Sequence, residues 1–397
     1  RFLKYVKYET TSDENSSSFP STDGQKVLLT ELKNELKSFG LKADMDENGY
    51  VTAVIPATKK GLKRICFISH VDTSPAVSGK NVNPQFVNYD GGDIKLKNGI
   101  KITVNDNPYL SEYVGKELIV TDGETLLGAD DKAGVAEIMT AAEILANDKS
   151  IMHGDVLIAF TPDEEIGRGT DKFDVKRFGA DFGYTIDGDK LGGIEYENFN
   201  AAAATVKVNG VSIHPGSAKN VMKNAIDLFC EFHSLLPIAE RPVHTENYEG
   251  FYMADEVNGG VETCVAKYII RDHDRQKFET RKAFVRQLAE ELNAENGEGT
   301  VTAEVRDQYY NMREKVEPVM HIIDIAKKAI EASGVECRVK AIRGGTDGAQ
   351  LSFKGLPCPN IFAGGLNFHG RHEFVPVQSM EKAMMTIVKI AELTALR

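Results

Sequence analysis

The first half of the chain alternates short apolar runs with longer segments whose apolar positions recur at helical spacing. The apolar runs are almost uninterrupted; they are YVTAVIP (50–56), RICFISH (64–70), DVLIAFT (155–161) and FGYTID (182–187). Such runs predict strands buried on both faces, as in a mostly parallel sheet. The segments 25–39 and 131–147 carry apolar residues three and four positions apart, which predicts helices. The alternation indicates an α/β domain with a mostly parallel central sheet and flanking helices.

The pattern changes near residue 200. The segments 200–210, 261–274 and 301–310 alternate apolar and polar positions, which is typical of strands with one face in water. Between them, 220–236 and 275–293 have the spacing of helices. This order of elements predicts a small α+β domain inserted into the α/β domain.

A further helix is predicted at 319–332, and the α/β pattern then returns. We therefore predict a first part of the α/β domain at 1–199, the inserted α+β domain at 200–312, and the second part of the α/β domain at 313–397.

The charge and hydrophobicity of the chain exclude some classes of binding partner. The 397 residues include 47 Lys and Arg against 59 Asp and Glu, for a net charge of −12. A surface this acidic repels phosphate backbones and anionic lipids, so we expect neither nucleic acid nor membrane as a partner. No apolar run approaches the roughly 20 residues of a membrane helix. Phosphate-loop and dinucleotide-binding glycine motifs are also absent from the sequence.

The cysteines and the N-terminus bear on location. The five cysteines are far apart and never form a CxxC pair; they are Cys66, Cys230, Cys264, Cys337 and Cys358. This fits buried thiols in a reducing compartment better than a disulfide framework or a cysteine zinc site. The first residues lack the apolar core of a signal peptide. We therefore expect a cytoplasmic protein.

Acidic and histidine residues follow the predicted strands. They are His70 and Asp72 after the second run, Asp130 and Asp131 in the turn LLGADDKAG, Asp163, Glu164 and Glu165 after the third run, Asp187 at the end of the fourth, and His369 and His372 in NFHGRHE. In open α/β sheets, sites form outside the carboxyl ends of the strands. The sequence therefore predicts that these side chains converge.

Imidazole and carboxylate ligands without cysteine suit zinc or a similar divalent ion. A carboxylate-rich set is the usual way to hold two metals about 3.5–4 Å apart, with one carboxylate bridging them and a shared water whose pKa falls to about 7. Residues two apart on a strand face the same way, so Asp72 can orient the His70 ring.

Each of these features also has an ordinary explanation when taken alone. The pair His70 and Asp72 could be a polar strand end, Asp130 a helix N-cap, and His369 a surface residue. The three consecutive acids from Asp163 would usually be a solvated turn, although they repel each other unless a cation compensates them. Their coincidence at several strand ends favours the metal site.

Seven motifs in order carry a family resemblance. They are FISHVDTSP, TLLGADDKAG, FTPDEEIGRG, YTIDGD, IHPGSAKN, IRGGTDGAQLS and FHGRHEF. Together they resemble the tripeptide aminopeptidases of the co-catalytic zinc aminoacylase and carboxypeptidase family, over essentially the whole chain. The resemblance implies a zinc-exopeptidase-like sheet and an inserted ferredoxin-like lid and dimerisation domain. It implies hydrolysis of the N-terminal residue from tripeptides by a water bridged by two zinc ions per subunit, with cobalt or manganese as possible substitutes.

The resemblance also implies roles for single residues. His70 would bind one zinc, with Asp72 orienting it and Asp187 completing that side. The first aspartate of ADDK, Asp130, would bridge the two metals, and Glu164 would be the general base. A general base must sit in the site without being a ligand, which suits one of two adjacent glutamates that point in different directions.

The second zinc would be held by Glu165 and His369. We choose His369 over the neighbouring His372 because the family's final ligand lies four residues before a glutamate, here Glu373.

Three further residues are candidates for substrate binding. In this family the histidine matching His214 reaches a neighbouring subunit's site and stabilises the tetrahedral oxyanion, which implies a homodimer built through the inserted domain. Arg271 and Arg343 could be surface ion-pair residues, but a peptidase that measures short peptides needs a cation for the terminal carboxylate.

Two alternatives stay open. A dipeptidase or an N-acyl-amino-acid deacylase of the same family would have the same metal core. A non-catalytic metal- or peptide-binding protein could use the same scaffold, although such a protein has no use for an unligated base at Glu164.

Overall fold

The computed structural model describes residues 1–396, which form two compact units. The first, which we call the large unit, contains Arg1–Tyr196, Glu314–Lys340 and the chain from Thr346 onward. The second, which we call the inserted unit, contains Glu197–Arg313 and the short segment Ala341–Gly345. The chain therefore leaves the large unit twice, first for a long segment and then for a short one.

The strands are numbered in chain order. The first ten are β1 (Lys42–Met45), β2 (Val51–Ile55), β3 (Ile65–His70), β4 (Gln85–Tyr89), β5 (Ile94–Lys95), β6 (Lys101–Ile102), β7 (Lys116–Val120), β8 (Val156–Thr161), β9 (Phe182–Gly188) and β10 (Gly193–Glu197). The next are β11 (Asn200–Asn209), β12 (Phe251–Gly259), β13 (Thr263–Asp272) and β14 (Val301–Tyr309). The last described strands are β15 (Arg338–Ala341), β16 (Asn360–Phe362) and β17 (Phe374–Pro376).

The α-helices are numbered in the same way. They are α1 (Phe2–Tyr5), α2 (Asp23–Ser38), α3 (Ala129–Asn147), α4 (Val175–Phe178), α5 (Ala225–Leu235), α6 (Arg275–Asn296), α7 (Arg313–Val316), α8 (His321–Ala332), α9 (Asp347–Phe353) and α10 (Val377–Thr394). Among residues 1–396, none of these helices has the length and apolar character needed to cross a membrane.

The predicted α/β fold class is confirmed, but the central sheet is mixed and not mostly parallel. Its strand order is β1-β2-β8-β3-β9-β16-β10-β15. The pairs β8–β3, β3–β9 and β9–β16 are parallel, whereas β1–β2, β2–β8 and β16–β10 are antiparallel. Every residue of β3 and β8 is buried, as their uninterrupted apolar runs predicted.

The parallel core of the sheet brings three strand ends to one edge. His70 ends β3 and lies opposite Thr161, which ends β8. On the other side of β3, β9 continues to Gly188 and carries Asp187. Because parallel strands end on the same side of a sheet, the residues that follow β3 and β8 lie next to Asp187.

Helix α3 begins at this edge and packs against β3, β9 and α10. A Cβ atom at Gly134 would lie 2.0 Å from the carbonyl oxygen of Ile186, so only a glycine allows the helix to approach β9 this closely. The helix predicted at 319–332 is confirmed as α8, and its buried apolar residues lie on one face. It begins at His321 because Pro318 lies in a 3₁₀ turn, Glu317–Val319.

The inserted unit is a four-stranded antiparallel sheet in the order β12-β13-β11-β14, with α5 and α6. The element order βαββαβ is the predicted ferredoxin-like arrangement. Its core consists of apolar residues from both layers, among them Val206, Phe232, Tyr268, Ile270, Phe278 and Leu288.

Some strands carry little signal in the sequence. β12 was not predicted, because it is an edge strand whose second half is exposed and polar. The small antiparallel sheet β17-β7-β4 was also not predicted, and four of the five residues of β4 are not buried.

The cysteines are all free thiols. Cys66, Cys264 and Cys358 are buried as expected, whereas Cys230 is exposed.

Candidate metal centre

Side chains with metal-binding chemistry converge at the carboxyl edge of the large sheet. They are His70 at the end of β3, Asp72 just after it, Asp130 at the start of α3, Glu164 and Glu165 in the 3₁₀ turn Glu164–Ile166 after β8, Asp187 in β9, and His369 in the turn after β16. All of them belong to the large unit. The structure therefore brings together the predicted metal ligands and the predicted general base.

Asp130 lies between the two histidines. Its Oδ1 is 3.0 Å from Nε2 of His70, and its Oδ2 is 2.9 Å from Nε2 of His369. The backbone of Asp130 is not helical (φ −83°, ψ 107°), so the regular part of α3 starts after it. Each carboxylate oxygen thus faces a different imidazole, which is the arrangement that a bridging ligand requires.

Each histidine has its own set of acids. Nε2 of His70 is 3.4 Å from Oδ1 of Asp187 and 4.0 Å from Oε2 of Glu164. Nε2 of His369 is 2.9 Å from Oε2 of Glu165. Two groups of ligand atoms, joined by Asp130, therefore lie side by side.

Asp72 contacts both the His70 ring and the turn that contains the two glutamates. Its carbonyl oxygen is 3.1 Å and its Oδ1 is 3.3 Å from Nδ1 of His70, so Nε2 of that ring points toward Asp130. Its two carboxylate oxygens also accept hydrogen bonds from the backbone N–H groups of Glu164 and Glu165, at 3.0 and 3.1 Å. Asp72 is fully buried. Asp72 thus contacts both the His70 imidazole and the glutamate turn, and the sequence did not indicate the second contact.

The charges of the histidines reflect this crowding by acids. Burial alone would lower the pKa of His70, but the carboxylates of Asp187 and Asp130 hold it well above its ordinary value. Hydrogen bonds with Asp130 and Glu165 raise the pKa of His369 to about 11. Burial would raise the pKa of Asp130, but its hydrogen bonds with the two imidazoles hold it below its ordinary value.

The remaining acids are shifted in the opposite direction. Burial, reinforced by the charge of Asp130, raises the pKa of Glu165 to about 7. Burial raises the pKa of Asp187 to about 6 and that of Glu164 well above its ordinary value. The positive charges among the described residues therefore do not compensate the burial of these three carboxyl groups.

The donor set fits divalent cations. One donor atom from each of His70, Asp130 and Glu165 lies within 4.8 Å of the others. Oε1 of Glu165 is buried and has no hydrogen-bond partner in residues 1–396, which is costly unless a cation compensates it. Nitrogen and oxygen donors without thiolate suit zinc, cobalt or manganese.

Asp131 is also within reach of a metal. One donor atom each from His70, Asp131 and Asp187 lies within 4.8 Å of the others. Its Oδ2 accepts a hydrogen bond from the Ser69 hydroxyl, whereas its Oδ1 is buried and has no hydrogen-bond partner in residues 1–396. Asp130, which faces both imidazoles, remains the better candidate for a bridge.

Glu373 is a buried acid whose position sequence reasoning missed. Its carboxylate accepts hydrogen bonds from the backbone N–H groups of Leu127, Gly128 and Asp130, at 2.7, 2.9 and 3.1 Å. Burial raises its pKa to about 7. The motif FHGRHEF contains this glutamate, but no pattern in the sequence links it to a turn nearly 250 residues away.

Asp347 is a second such acid. It starts α9, is 3% exposed, and accepts a hydrogen bond of 2.8 Å from the hydroxyl of Thr161 at the end of β8. A Cβ atom at Gly169 would lie 2.3 Å from its Oδ1, so the glycine makes room for this carboxylate. Burial raises its pKa to about 7.

The three predicted substrate-binding residues belong to the inserted unit, whereas the cluster is built by the large unit alone. His214 lies in an exposed turn, where its Nδ1 accepts a hydrogen bond from the N–H of Gly216. Arg271 in β13 donates to the carbonyl oxygen of Ala202 and lies over the ring of Tyr309.

Arg343 donates hydrogen bonds of 2.8 and 2.9 Å to the carbonyl oxygens of Asn247 and Glu249. Its guanidinium also lies over the ring of Phe199, 5.0 Å from the centroid. Both arginines are therefore ordered by their own unit.

Comparison with solved structures shows a shared fold. The chain is similar to an aminopeptidase PepT from Bacillus cereus, with a TM-score of 0.79 and 24% identity, over 99% of this chain and 97% of the other. It is also similar to a tripeptidase from Staphylococcus aureus, with a TM-score of 0.80 and 21% identity, over 100% of this chain and 97% of the other.

Comparison of sequences is more specific. Residues 196–300 match the family described as the peptidase dimerisation domain. The chain is 57% identical to a peptidase T from Caldanaerobacter subterraneus subsp. tengcongensis, over 99% of this chain and 97% of that protein. The family resemblance drawn from the seven motifs is thereby confirmed. Because so high an identity extends over nearly the full length of both proteins, the chain belongs to the peptidase T family.

Proposed function

We propose that the protein is a metallo-aminopeptidase that releases the N-terminal residue from tripeptides with the help of two divalent cations. The observation that carries the proposal is the position of Asp130, with one carboxylate oxygen toward His70 and the other toward His369. Membership of the peptidase T family supports peptide hydrolysis, and the fold is shared with proteins described as an aminopeptidase and a tripeptidase.

The ligands would divide into two sets that share Asp130. His70 and Asp187 would complete one set, and Glu165 and His369 the other. Zinc is the cation we propose, with cobalt or manganese as substitutes. Two such cations would polarise the scissile carbonyl and would lower the pKa of a water molecule, so that it can lose a proton and attack the carbonyl at neutral pH.

Glu164 is the proposed general base. Its side chain is 15% exposed, its Oε2 lies 4.0 Å from Nε2 of His70, and its backbone N–H donates a hydrogen bond to Asp72. Burial raises its pKa well above the ordinary value, which suits a group that must both accept and return a proton. It would take a proton from the attacking water and pass it to the departing amine.

The inserted unit would supply substrate contacts. We propose that His214 stabilises the oxyanion in the site of a partner subunit, and that Arg271 and Arg343 bind the terminal carboxylate of the peptide. The match of residues 196–300 to a peptidase dimerisation domain supports a homodimer built through this unit.

The test is hydrolysis by zinc-reconstituted protein and by its Glu164→Gln variant. The protein should release the N-terminal residue from tripeptides, and the variant should lose about 10³-fold in kcat, within the usual range for a general acid–base group. Zinc content, measured by atomic absorption, should persist in the variant. Glu331→Gln, a change of the same charge on the exposed face of α8, is the matched control and should keep the full rate.

Different outcomes would contradict different parts of the proposal. A Glu164→Gln rate close to that of the parent would remove the base assignment. Cleavage of dipeptides or N-acetyl amino acids in preference to tripeptides would indicate a dipeptidase or a deacylase with the same metal core. Zinc binding with no hydrolysis of any of these substrates would indicate a binding protein.

A further inference from the structure

The sequence PDEE contains an acid that the proposed mechanism does not use. Asp163 directly precedes the proposed base, yet it is fully buried and points away from the histidines, into the N-terminal part of the large unit. Its backbone is left-handed (φ 57°, ψ 26°), a conformation that aspartate tolerates better than most residues. It therefore sets the direction in which the chain enters the turn Glu164–Ile166.

Three donors satisfy the Asp163 carboxylate, two from Ser21 just before α2 and one from Gln25 in its first turn. Oδ2 accepts a hydrogen bond of 2.8 Å from the backbone N–H of Ser21. Oδ1 accepts one of 2.5 Å from the Ser21 hydroxyl and one of 2.7 Å from the amide Nε2 of Gln25. Gln25 is also fully buried.

Gln25 contacts both the side chain and the backbone of the aspartate. While its Nε2 donates to the carboxylate, its Oε1 accepts a hydrogen bond of 3.0 Å from the backbone N–H of Asp163. This reciprocal pair holds Asp163 in place as well as satisfying its charge, because the two bonds fix the residue at two points.

The turn is therefore held from two sides. Asp72 accepts hydrogen bonds from the backbone N–H groups of Glu164 and Glu165, and Gln25 accepts one from the backbone N–H of the preceding residue. The N–H of Arg168 closes the turn by donating to the carbonyl oxygen of Asp163, at 2.9 Å. The positions of two proposed functional carboxylates thus depend on an amide in a helix that contributes no ligand.

We propose that Gln25 and Asp163 are a positioning pair, which fixes Glu164 for proton transfer and Glu165 for metal binding. This inference rests on the proposed function. Neither residue touches the reacting atoms, so both act through the turn between β8 and Gly167.

The reciprocal bonds suggest an exchange experiment. Gln25→Glu places a carboxylate against the Asp163 carboxylate, which removes one hydrogen bond and adds repulsion in a buried place. The double variant Gln25→Glu with Asp163→Asn exchanges amide and carboxylate. In it, the new carboxylate again accepts the backbone N–H of residue 163 and also accepts from the new amide, so both bonds re-form with one negative charge in total.

The measurements are kcat and KM on a tripeptide, zinc affinity by competition with a chromogenic chelator, and thermal unfolding. For Gln25→Glu we expect kcat to fall about 10- to 100-fold, since a displacement of about 1 Å has effects of this size. KM should change less than kcat, and zinc affinity should fall because Glu165 moves. The double variant should recover most of both losses.

Gln287→Glu is the charge-matched control. The Gln287 amide donates a hydrogen bond of 2.7 Å to Glu291 on the exposed face of α6, so the variant also places one carboxylate against another. This helix belongs to the inserted unit, which contributes no residue to the candidate metal centre. The control variant should leave kcat and zinc affinity unchanged. If Gln25→Glu does not fold, Gln25→Met takes its place, because methionine matches the length of glutamine and lacks both hydrogen bonds.

The inference is overturned if the folded single variant keeps the parent's kcat and zinc affinity and loses only thermal stability, since that would mean a structural role. It is also overturned if the exchange restores neither quantity. Failure of the proposed function looks different: the unmodified protein would bind zinc and hydrolyse no peptide, and the zinc affinities of the variants would still decide whether the pair positions Glu165.

Discussion

Removing divalent cations should make the stability of the protein fall as the pH rises. The reason lies in the buried acids of the candidate metal centre, of which Glu165 is the clearest. Its side chain is 5% exposed, one of its oxygens has no hydrogen-bond partner among the described residues, and burial raises its pKa from 4.5 to about 7. Without a cation, the folded chain holds a proton on this group over a pH range in which the unfolded chain has released it.

The sign and size follow from proton linkage. Stability decreases with pH wherever the folded state binds more protons than the unfolded state, here from pH 4.5 to about 7. At about 1.4 kcal/mol per pKa unit, Glu165 alone costs the metal-free protein about 3 kcal/mol of unfolding free energy across this window. The raised pKa of His369 acts in the same direction at higher pH, because the folded state keeps a proton that the unfolded imidazole loses above pH 6.5.

The assay is thermal unfolding of chelator-treated protein at pH 5 and pH 8, followed by circular dichroism, with and without added zinc. For a unit of this size, 3 kcal/mol corresponds to roughly 6–12 °C in Tm. The metal-free Tm should therefore be lower at pH 8 by about that amount, and zinc should raise Tm more at pH 8 than at pH 5.

Two variants separate this effect from the protein's overall negative charge. Glu165→Gln should reduce the difference in Tm between the two pH values, whereas the exposed Glu331→Gln should not. A metal-free Tm that is independent of pH, or higher at pH 8, would refute the reasoning. So would a pH effect that is the same in both variants.

Three further outcomes are expected. Glu373→Gln replaces a carboxylate that accepts hydrogen bonds from three backbone N–H groups, so the unfolding free energy measured in urea should fall by about 1–3 kcal/mol. Zinc affinity should fall as well, and an unchanged zinc affinity would show that Glu373 does not position Asp130. His369→Ala should weaken zinc binding in chelator competition while the exposed His372→Ala should not, and the reverse order would show that the ligand was misassigned. His214→Ala should lower kcat by about 10²-fold or more with an unchanged circular dichroism spectrum, since a donor to an oxyanion has effects of this size; a parent-like rate would reduce His214 to a turn residue.

Strong local patterns made the core of the large unit predictable. β3 and β8 are buried along their whole length, so their sequences are apolar at nearly every position and their ends are sharply marked. Part of the candidate site could be found for the same reason, because His70, Glu164 and Glu165 lie at or just after these ends. In the inserted unit, the alternation in β11 and β13 was readable because one face is buried and the other is not.

What could not be predicted depends on contacts between distant segments. β12 pairs with β13 at a sheet edge, and backbone pairing there imposes little on its side chains. The hydrogen bonds from the Gln25 amide to Asp163 and from the Asp130 N–H to the Glu373 carboxylate join residues that are 138 and 243 positions apart. A single sequence shows that such residues are polar, and the fold alone shows that they are buried and paired.

Three buried acids that are not candidate ligands share one task, which explains their place near this site; they are Asp72, Asp163 and Glu373. Glu165 and His369 lie in turns and Asp130 lies before the regular part of α3, where backbone N–H groups have no strand or helix partner and must find acceptors. Asp72 and Glu373 each accept two or more such N–H groups, and Asp163 accepts one from Ser21. A carboxylate does this well because it has two oxygens and a charge, but each one adds negative charge near the candidate ligands. Cations in the centre would offset that charge, so the same metals that we propose for catalysis would also stabilise the turns that hold them.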